Sequence, residues 1–283
     1  MEITGRTKLI GILGYPVSHS LSPRMQNAAF DAMNLDIRYV PLEVKPEDLG
    51  DAVAGLKAMG FLGANVTIPH KVPVVEFMDR LEGAASITGA VNTIVNRDGV
   101  LIGHNTDGAG FIKSLEEVKK GDFSTTAALL IGAGGAARSI AVVLAERGIS
   151  QISIINRSRD RAEELAKLLK RNFPALPVEI RMPDEANEDI VVSSKIIINA
   201  TSVGLEGDLK MPPLAVDKLT KDHVVCDIVY TQSQDTPLLS AARGKGASTL
   251  GGLGMLLHQG AVAIHLWTGV DPPIEVMREA IEP

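Results

Sequence analysis

The stretch LLIGAGGAAR, residues 129–138, is an apolar strand that runs into the pattern G-x-G-x-x-A. Gly132 would let the chain turn sharply out of the strand, Gly134 would let the backbone approach a pyrophosphate, and Ala137 would let the next helix pack closely on the sheet. The helix N-terminus adds free N–H groups and a positive dipole end. Because another strand follows, the stretch predicts a Rossmann-type dinucleotide-binding domain; a tight turn without a ligand is the alternative.

The end of the next strand indicates which dinucleotide is bound. An NAD site usually has an acidic residue there for the ribose hydroxyl, whereas this chain reads NRSRDR over residues 156–161. Guanidinium groups complement a phosphate in charge and in bidentate geometry, so the three arginines favour NADP over NAD. The alternatives are arginines that only face water, or Asp160 reaching a ribose.

Outside this turn, apolar runs of strand length alternate with helix-like segments, which predicts an α/β protein with a mostly parallel sheet. The predicted strands cover residues 8–13, 38–44, 63–67, 92–96, 101–103, 127–131, 151–155, 195–199 and 224–227. The predicted helices cover residues 22–33, 46–59, 107–119, 134–147, 158–170, 237–245 and 253–268. The sequence Arg97-Asp98-Gly99 between two apolar runs predicts a hairpin turn.

The polar segment at residues 119–126 precedes a fresh strand, so a domain change is expected near it. We predict two domains with a cleft between them: an N-terminal α/β substrate domain and a Rossmann-type NADP-binding domain. Residues 1–106 with 255–283 would form the substrate-binding and catalytic domain, with the C-terminal helices packing back on it. Residues 107–254 would form the NADP-binding domain.

Composition excludes several classes of function. The 283 residues carry a formal net charge of −6, which argues against nucleic acid as a partner, because a phosphate backbone needs a basic face. A single cysteine, Cys226, rules out a disulfide framework within the chain, and six histidines without ligand spacing predict no metal site. No apolar run approaches the roughly 20 residues that span a membrane, and no leader is evident, so a cytoplasmic protein is expected.

Polar side chains of the first domain suggest where a small molecule would bind. Ser18 and Ser20, two residues apart in an extended turn, could both donate to one carboxylate; Ser22 before Pro23 predicts a helix N-cap. Asn65 and Thr67 share one face at the end of a strand, where open α/β sheets bind ligands. Asp107, at the start of a predicted helix, is as readily explained as a cap.

Nine motifs occur in one order along nearly the whole chain, from about residue 11 to residue 269: SHSLSP, NVTIPHK, GAVNT, GHNTDGAGF, GAGGAAR, NRSRDRAEELA, NATSVG, DIVY and GLGMLLHQG. Together they resemble the shikimate dehydrogenase family. The resemblance implies reversible reduction of 3-dehydroshikimate to shikimate with NADPH, on the pathway to chorismate and aromatic amino acids. It implies a small-molecule partner, and both a monomer and a homodimer are compatible with it.

The resemblance also implies the site residues. The catalytic pair falls on Lys71 and Asp107. The substrate-binding positions fall on Ser18, Ser20, Asn65, Thr67, Lys71, Asn92, Asp107, Tyr230 and Gln259. The cofactor-binding positions fall on Gly132, Ala133, Gly134, Gly135 and Ala136 for the pyrophosphate, on Asn156, Arg157, Ser158 and Arg161 for the adenosine phosphate, and on Thr201, Ile228, Gly252 and Met255 for the nicotinamide end.

Two departures from the family pattern stand out. Tyr230 is followed by residues 231–233, TQS, where the family often has a proline, and Gly83 stands where some members carry an acidic residue.

Two other functions stay open. One is a quinate/shikimate dehydrogenase that uses NAD or NADP, and the other is a non-catalytic NADP-binding sensor module.

Overall fold

The structure is a computed structural model that describes residues 2–120, 122–185, 187–204, 210–229 and 235–282. Its strands are β1 Lys8–Gly14, β2 Ile37–Glu43, β3 Gly63–Val66, β4 Arg80–Leu81, β5 Thr93–Arg97, β6 Val100–His104, β7 Ala127–Ile131, β8 Gln151–Ile155, β9 Val178–Arg181, β10 Ile196–Asn199, β11 Val224–Asp227 and β12 Ser248–Leu250. Its α-helices are α1 Ser22–Ala32, α2 Leu49–Ala58, α3 Ala84–Thr88, α4 Asp107–Val118, α5 Gly135–Glu146, α6 Arg159–Asn172, α7 Glu188–Ser193, α8 Pro237–Gly244, α9 Gly252–Thr268 and α10 Ile274–Ile281.

The first sheet is mixed, with the strand order β2-β1-β3-β5-β6-β4. Strand β1 pairs in parallel with β2 and β3, whereas β5 runs antiparallel to β3 and β6. The hairpin between β5 and β6 turns through Asp98 and Gly99, whose φ angles are 52° and 87°. Two positive φ values are what a tight two-residue hairpin turn requires, and the predicted turn is confirmed.

The second sheet is parallel throughout, with the strand order β12-β11-β10-β7-β8-β9. Its central strands are near-continuous runs of aliphatic residues, such as IIIN in β10 and AALLI in β7, because helices cover both faces of a parallel sheet. Ala137 on α5 is fully buried, so the helix packs closely on the sheet. The predicted α/β class with mostly parallel pairing is confirmed.

The chain divides into two compact units. Unit 1 comprises Met1–Gly110 with Leu256–Glu282, and unit 2 comprises Phe111–Met255. Each has its own aliphatic core: Leu13, Val66, Ile94 and Leu101 belong to that of unit 1, and Leu129, Ile155, Ile197 and Val225 to that of unit 2. The divisions fall inside α4 and α9, so each of these helices contributes residues to both units.

Within unit 1, the end of α9 and the last helix pack on the first sheet and on α1. Trp267 donates a hydrogen bond from Nε1 to the Ile94 carbonyl at 2.9 Å, and its ring lies 6.3 Å from that of Tyr39. A Cβ on Gly63 would lie 2.5 Å from the indole Nε1, so this glycine permits the contact.

The sequence-based prediction misses the shortest elements. Strands β4, β9 and β12 contain two, four and three residues, lie at sheet edges and are partly exposed, so they carry no buried apolar run. Helices α3 and α7, of five and six residues, are too short for a clear helical period. Helix α10 was also missed, although its eight residues are amphipathic and equal in number to those of α8, which was predicted.

The N-cap prediction at Ser22 is wrong. Helix α1 already includes Ser22, and Leu21 occupies the N-cap position without a side-chain hydrogen bond. The hydroxyl that serves the helix start belongs to Ser20, whose Oγ accepts the Ser22 N–H at 3.3 Å.

Candidate active site

Lys71 and Asp107 form a hydrogen-bonded ion pair in unit 1. Lys71 lies in the turn after β3, and Asp107 is the first residue of α4. Lys71 Nζ donates to Asp107 Oδ2 at 2.5 Å, and their side chains are 17% and 5% exposed. The pair is thus largely withdrawn from water, while the lysine keeps some accessible surface.

Asn92 binds the second carboxylate oxygen of Asp107. Its Nδ2 donates to Asp107 Oδ1 at 2.8 Å and to Gln259 Oε1 at 3.3 Å. Its Oδ1 accepts the Thr106 N–H at 2.8 Å. Asn92, Thr106, Asp107 and Gln259 are all buried, so these polar groups satisfy one another inside the unit.

The sheet explains why these residues meet. Strand β5 is antiparallel to β3 and β6, with Asn65 opposite Thr93 and Thr93 opposite His104. The start of β5 therefore lies beside the ends of β3 and β6, which is the edge where the Lys71 turn and helix α4 begin. The buried side chain of His70 anchors that turn, because its Nε2 contacts the Val44 carbonyl oxygen at 2.7 Å.

Asn65 lies in this cluster, but all its amide groups are used by the protein. Its Nδ2 donates to the Asn92 carbonyl and to Thr93 Oγ1, both at 3.0 Å, and its Oδ1 accepts the Tyr39 hydroxyl at 2.7 Å. Both amide hydrogens thus have partners within unit 1. Thr67 is partly exposed and lies against Gly14, where a Cβ would come within 2.4 Å of its methyl group.

Two of the three remaining predicted substrate residues, Ser18 and Ser20, keep solvent-accessible surface. Ser18 is exposed and Ser20 is partly exposed, in the segment between β1 and α1. Tyr230 lies outside the described residues, and so do residues 231–233, which follow it.

The glycine-rich turn of unit 2 has the backbone that its sequence predicts. Gly132 has a φ of 114°, and a Cβ there would lie 2.9 Å from the Ala200 carbonyl oxygen. Gly134 is the N-cap of α5; a Cβ there would meet nothing within 4 Å, and no side chain caps the helix. Gly135 and Ala136 follow in the first turn of α5, and Ala133 is buried. The N–H groups at this helix start border open space, which fits a pyrophosphate.

The arginine-rich loop follows β8. Asn156 Nδ2 donates to the Ser158 carbonyl at 2.8 Å, and Ser158 Oγ caps α6 by accepting the Arg161 N–H at 3.4 Å. Arg159 lies 3.7 Å from Glu185, whereas Arg157 and Arg161 are exposed and have no ion-pair partner within the described ranges. Two unpaired guanidinium groups beside the end of β8 fit a phosphate monoester.

Residues predicted for the nicotinamide end lie around the ends of β10 and β11. Ile228, Gly252 and Met255 line one small depression with Ser114 and Cys226. A Cβ on Gly252 would lie 2.3 Å from the Ile228 carbonyl oxygen, so the two backbones touch.

The strand-end network below this depression was not predicted. Asn199 accepts from Thr201 Oγ1 at 2.7 Å and donates to Asp227 Oδ1 at 2.9 Å, while Thr236 Oγ1 donates to Asp227 Oδ2 at 2.7 Å. Burial raises the pKa of the Asp227 carboxyl, and its hydrogen bonds from Thr236, Val229 and Asn199 partly offset that rise. The available signal was a polar residue closing each of two buried strands.

Cys226 is buried beside this network, and burial raises the pKa of its thiol, so a reactive role is disfavoured.

In the part of the chain that the structure describes, His, Cys, Asp and Glu side chains form no group of three or more that could hold a metal ion. None of its described helices is long and apolar enough to cross a membrane.

Three family models match the chain. A shikimate dehydrogenase substrate binding domain matches residues 12–94, a shikimate/quinate 5-dehydrogenase model matches residues 114–217, and a shikimate 5′-dehydrogenase C-terminal domain matches residues 252–282. A shikimate dehydrogenase (NADP(+)) of Desulforamulus reducens is 42% identical, over 99% of this chain and 96% of the relative.

Solved structures agree with these matches. A crystal structure of a shikimate dehydrogenase in complex with NADP+ is 42% identical and has a TM-score of 0.89, over 99% of this chain and 96% of that chain. A shikimate 5-dehydrogenase from Listeria monocytogenes in complex with shikimate and NAD is 37% identical and has a TM-score of 0.90, over 99% and 98% of the two chains.

Proposed function

The chain belongs to the shikimate dehydrogenase family, and from this premise we propose that Lys71 and Asp107 handle the proton of its reaction. The protein is an NADP-dependent oxidoreductase that interconverts 3-dehydroshikimate and shikimate, a step towards chorismate and aromatic amino acids. The observation that supports the proton-handling role is the Nζ–Oδ2 hydrogen bond of 2.5 Å between two largely buried, oppositely charged groups.

Bound NADPH supplies the hydride. As the substrate ketone is reduced, negative charge develops on its oxygen, and the ammonium of Lys71 stabilises and protonates that oxygen. In the oxidative direction, neutral Lys71 accepts the proton of the substrate hydroxyl. Asp107 holds Nζ in place and compensates its charge, and the first turn of α4 favours a carboxylate at this position.

Other residues of unit 1 orient the substrate. Thr67 and Gln259 suit the ring oxygens, because amide and hydroxyl groups both donate and accept hydrogen bonds. Asn92 would bind a ring oxygen by exchanging one of its present partners, since its Nδ2 already donates to Thr106, Asp107 and Gln259. Ser18 and Ser20 suit the carboxylate, together with the phenol that the resemblance implies at Tyr230. We assign Asn65 an indirect role, since both its amide hydrogens already have protein partners.

The cofactor would be held by unit 2. The free N–H groups at the start of α5 would bind the pyrophosphate, and the open space at Gly134 admits it. Arg157 and Arg161 would bind the 2′-phosphate, with Asn156 and Ser158 shaping the loop. The nicotinamide end would lie by Thr201, Ile228, Gly252 and Met255.

The test is a Lys71→Ala variant assayed for NADPH formation from shikimate. We expect kcat to fall by about 10²–10⁴-fold with a small change in KM for shikimate, because proton transfer is lost and substrate contacts remain. Lys57→Ala is the matched control, since Lys57 also pairs with an aspartate, Asp79, but at 3.8 Å and half-exposed. A Lys71→Ala enzyme with near-normal turnover contradicts the assignment.

Substrate and cofactor selectivity need a separate measurement, because the Listeria relative was crystallised with NAD. Initial rates with shikimate and quinate, each with NADP+ and NAD+, distinguish the candidates. We expect the shikimate–NADP+ pair to give the highest kcat/KM, since two unpaired arginines favour a phosphate. Faster turnover of quinate or with NAD+ would identify a quinate/shikimate dehydrogenase.

The assembly is a monomer or a homodimer, and sedimentation at assay concentrations separates the two.

A further inference from the structure

A chain of hydrogen bonds among buried side chains leads from strand β2 to Asp107. Tyr39 Oη donates to Asn65 Oδ1 at 2.7 Å, and Asn65 Nδ2 donates to Thr93 Oγ1 at 3.0 Å. Thr93 Oγ1 donates to Asn92 Oδ1 at 3.0 Å. Asn92 Nδ2 then donates to Asp107 Oδ1 at 2.8 Å. The chain ends on the carboxylate whose other oxygen binds the catalytic lysine.

The donors in this chain all point the same way. A hydroxyl has one hydrogen. Thr93 accepts from Asn65 on its oxygen, so this hydrogen is free to be donated to Asn92 Oδ1. An amide has a donor end and an acceptor end, so occupation of Asn92 Oδ1 leaves its Nδ2 facing Asp107. A flipped Asn92 would set its own oxygen against the carboxylate. Hydrogen bonds aligned in series also polarise and strengthen one another.

Burial makes the alignment matter. Tyr39 and Asn92 are 2% exposed, Asn65 is 5% exposed and Thr93 is fully buried. Water cannot replace a missing partner at such positions, so the loss of one hydroxyl leaves a neighbouring group unpaired. The orientation of the Asn92 amide is therefore supported in part by side chains outside the predicted site.

We propose that Tyr39 and Thr93 are positioning residues for the Lys71–Asp107 pair, acting through Asn65 and Asn92. This inference rests on the proposed function, because it assumes that the pair transfers the proton. Neither residue touches the pair. Their effect is to keep Asp107 turned so that Oδ2 holds Nζ of Lys71.

The expected effect is graded, because Thr106 also holds the Asn92 amide. The Thr106 N–H donates to Asn92 Oδ1 at 2.8 Å, the Thr106 hydroxyl lies 3.2 Å from the same oxygen and 2.9 Å from Asn92 Nδ2, and these contacts remain when Thr93 is changed. Loss of the Thr93 hydroxyl should misalign the Asn92 amide part of the time and should leave the rest of the site in place.

The experiment compares Thr93→Val, which keeps the shape but removes the hydroxyl, with Thr93→Ser, which keeps the hydroxyl. Thr93→Val should lower kcat by about three- to tenfold, the worth of one hydrogen bond, with KM for shikimate within about twofold of wild type. Thr93→Ser should restore kcat to within about twofold. A smaller fall in Thr93→Val, a fall confined to KM, or a serine variant as slow as the valine variant overturns the proposal.

Tyr39→Phe gives an independent second variant at the far end of the chain. We expect kcat to fall by at least about twofold, and we expect the Tyr39→Phe/Thr93→Val double variant to be no slower than Thr93→Val alone, because both changes break the same chain. A double variant whose fall in kcat equals the product of the two single falls would overturn the role of Tyr39. A Tyr39→Phe enzyme with unchanged kcat would overturn it as well.

Thr7→Val is the matched control. Thr7 Oγ1 donates to Asp36 Oδ1 at 2.7 Å, just before β1 and away from the catalytic pair. Its loss removes a threonine hydroxyl at a partly exposed position, and kcat should stay at the wild-type value. A wild-type protein that does not oxidise shikimate overturns the proposed function and this inference together, whereas an active wild type with an equally active Thr93→Val variant overturns the positioning role alone.

Discussion

Asp107 accepts a hydrogen bond on each carboxylate oxygen, from Lys71 on Oδ2 and from Asn92 on Oδ1. Both partners present donor hydrogens: an ammonium has no acceptor, and Asn92 turns its amide nitrogen towards Asp107. The position therefore requires two acceptor oxygens. Among the residues of similar size, only an ionised aspartate offers both and also compensates the lysine charge.

We predict that Asp107→Asn lowers kcat by at least about 100-fold. Its amide nitrogen would have to face either Nζ of Lys71 or Nδ2 of Asn92, so one donor would oppose another, and the lysine would lose its counter-charge. Steady-state rates of shikimate oxidation measure the effect.

Asp79→Asn is the control for that change. Asp79 also accepts from a nitrogen, the Leu101 N–H at 2.7 Å, and lies 3.8 Å from Lys57, but it is half-exposed. An asparagine can keep the backbone hydrogen bond through its oxygen, so activity should stay within about twofold of wild type. Equal activities of the two asparagine variants would remove Asp107 from the mechanism.

The turn from β7 to α5 shows how one element combines a structural requirement with a functional one. Gly132 has a φ of 114°, which L side chains rarely adopt, and it approaches the Ala200 carbonyl. Gly134 has a φ of −82°, open to any residue, and faces empty space. The fold therefore requires the first glycine but not the second, and we propose that Gly134 is needed for the ligand.

This difference gives a prediction for a matched pair of variants. Gly132→Ala should lower the unfolding free energy by about 2 kcal/mol or more, through strain and the clash with Ala200. Gly134→Ala should cost less than about 1 kcal/mol. Both should weaken NADP+ binding by at least about tenfold, since strain at residue 132 would distort the turn and a Cβ at residue 134 would enter the space proposed for the phosphates. Denaturant unfolding and NADP+ titration measure the two quantities, and a Gly134→Ala protein that binds NADP+ normally contradicts the assignment of the turn.

Elements with a strong local pattern were predictable. The β5–β6 hairpin follows from Asp98-Gly99, and β7, β8 and β11 have the predicted bounds, because buried aliphatic runs bordered by turn residues are a local signal. Strand β9 was missed, although its residues, VEIR, alternate apolar and polar side chains as a half-buried strand does. Four residues are a short run for that signal, and the strand pairs only with β8, at a sheet edge.

At the scale of the whole molecule, the two units carry different predicted tasks. Lys71, Asn92, Asp107 and Gln259 belong to unit 1, whereas the glycine-rich turn and the arginine loop belong to unit 2. Each unit has its own core, so each ligand should stabilise the unit that binds it. A ligand at 100 times its Kd adds about 2.7 kcal/mol to the stability of the state that binds it.

We therefore predict that NADP+ raises the thermal midpoint more than NAD+ at equal concentration. Arg157→Ala should remove most of that difference, because the guanidinium would no longer bind the 2′-phosphate. Calorimetric scans with each nucleotide measure the shifts, and hydrogen exchange should show the added protection within Phe111–Met255. Equal shifts for both nucleotides in the wild type would contradict the role of the arginine loop.

The sequence by itself determined the alternation of strands and helices, the glycine-rich turn and the positions of the family motifs. Period, turn chemistry and capping act over a few residues, so the chain displays them directly. Only the tertiary structure showed that Asn92 contacts Gln259, 167 residues away, and that Tyr39 reaches Asp107 through Asn65, Thr93 and Asn92. Those contacts depend on the order of strands in the sheet and on the antiparallel direction of β5, which no local pattern encodes.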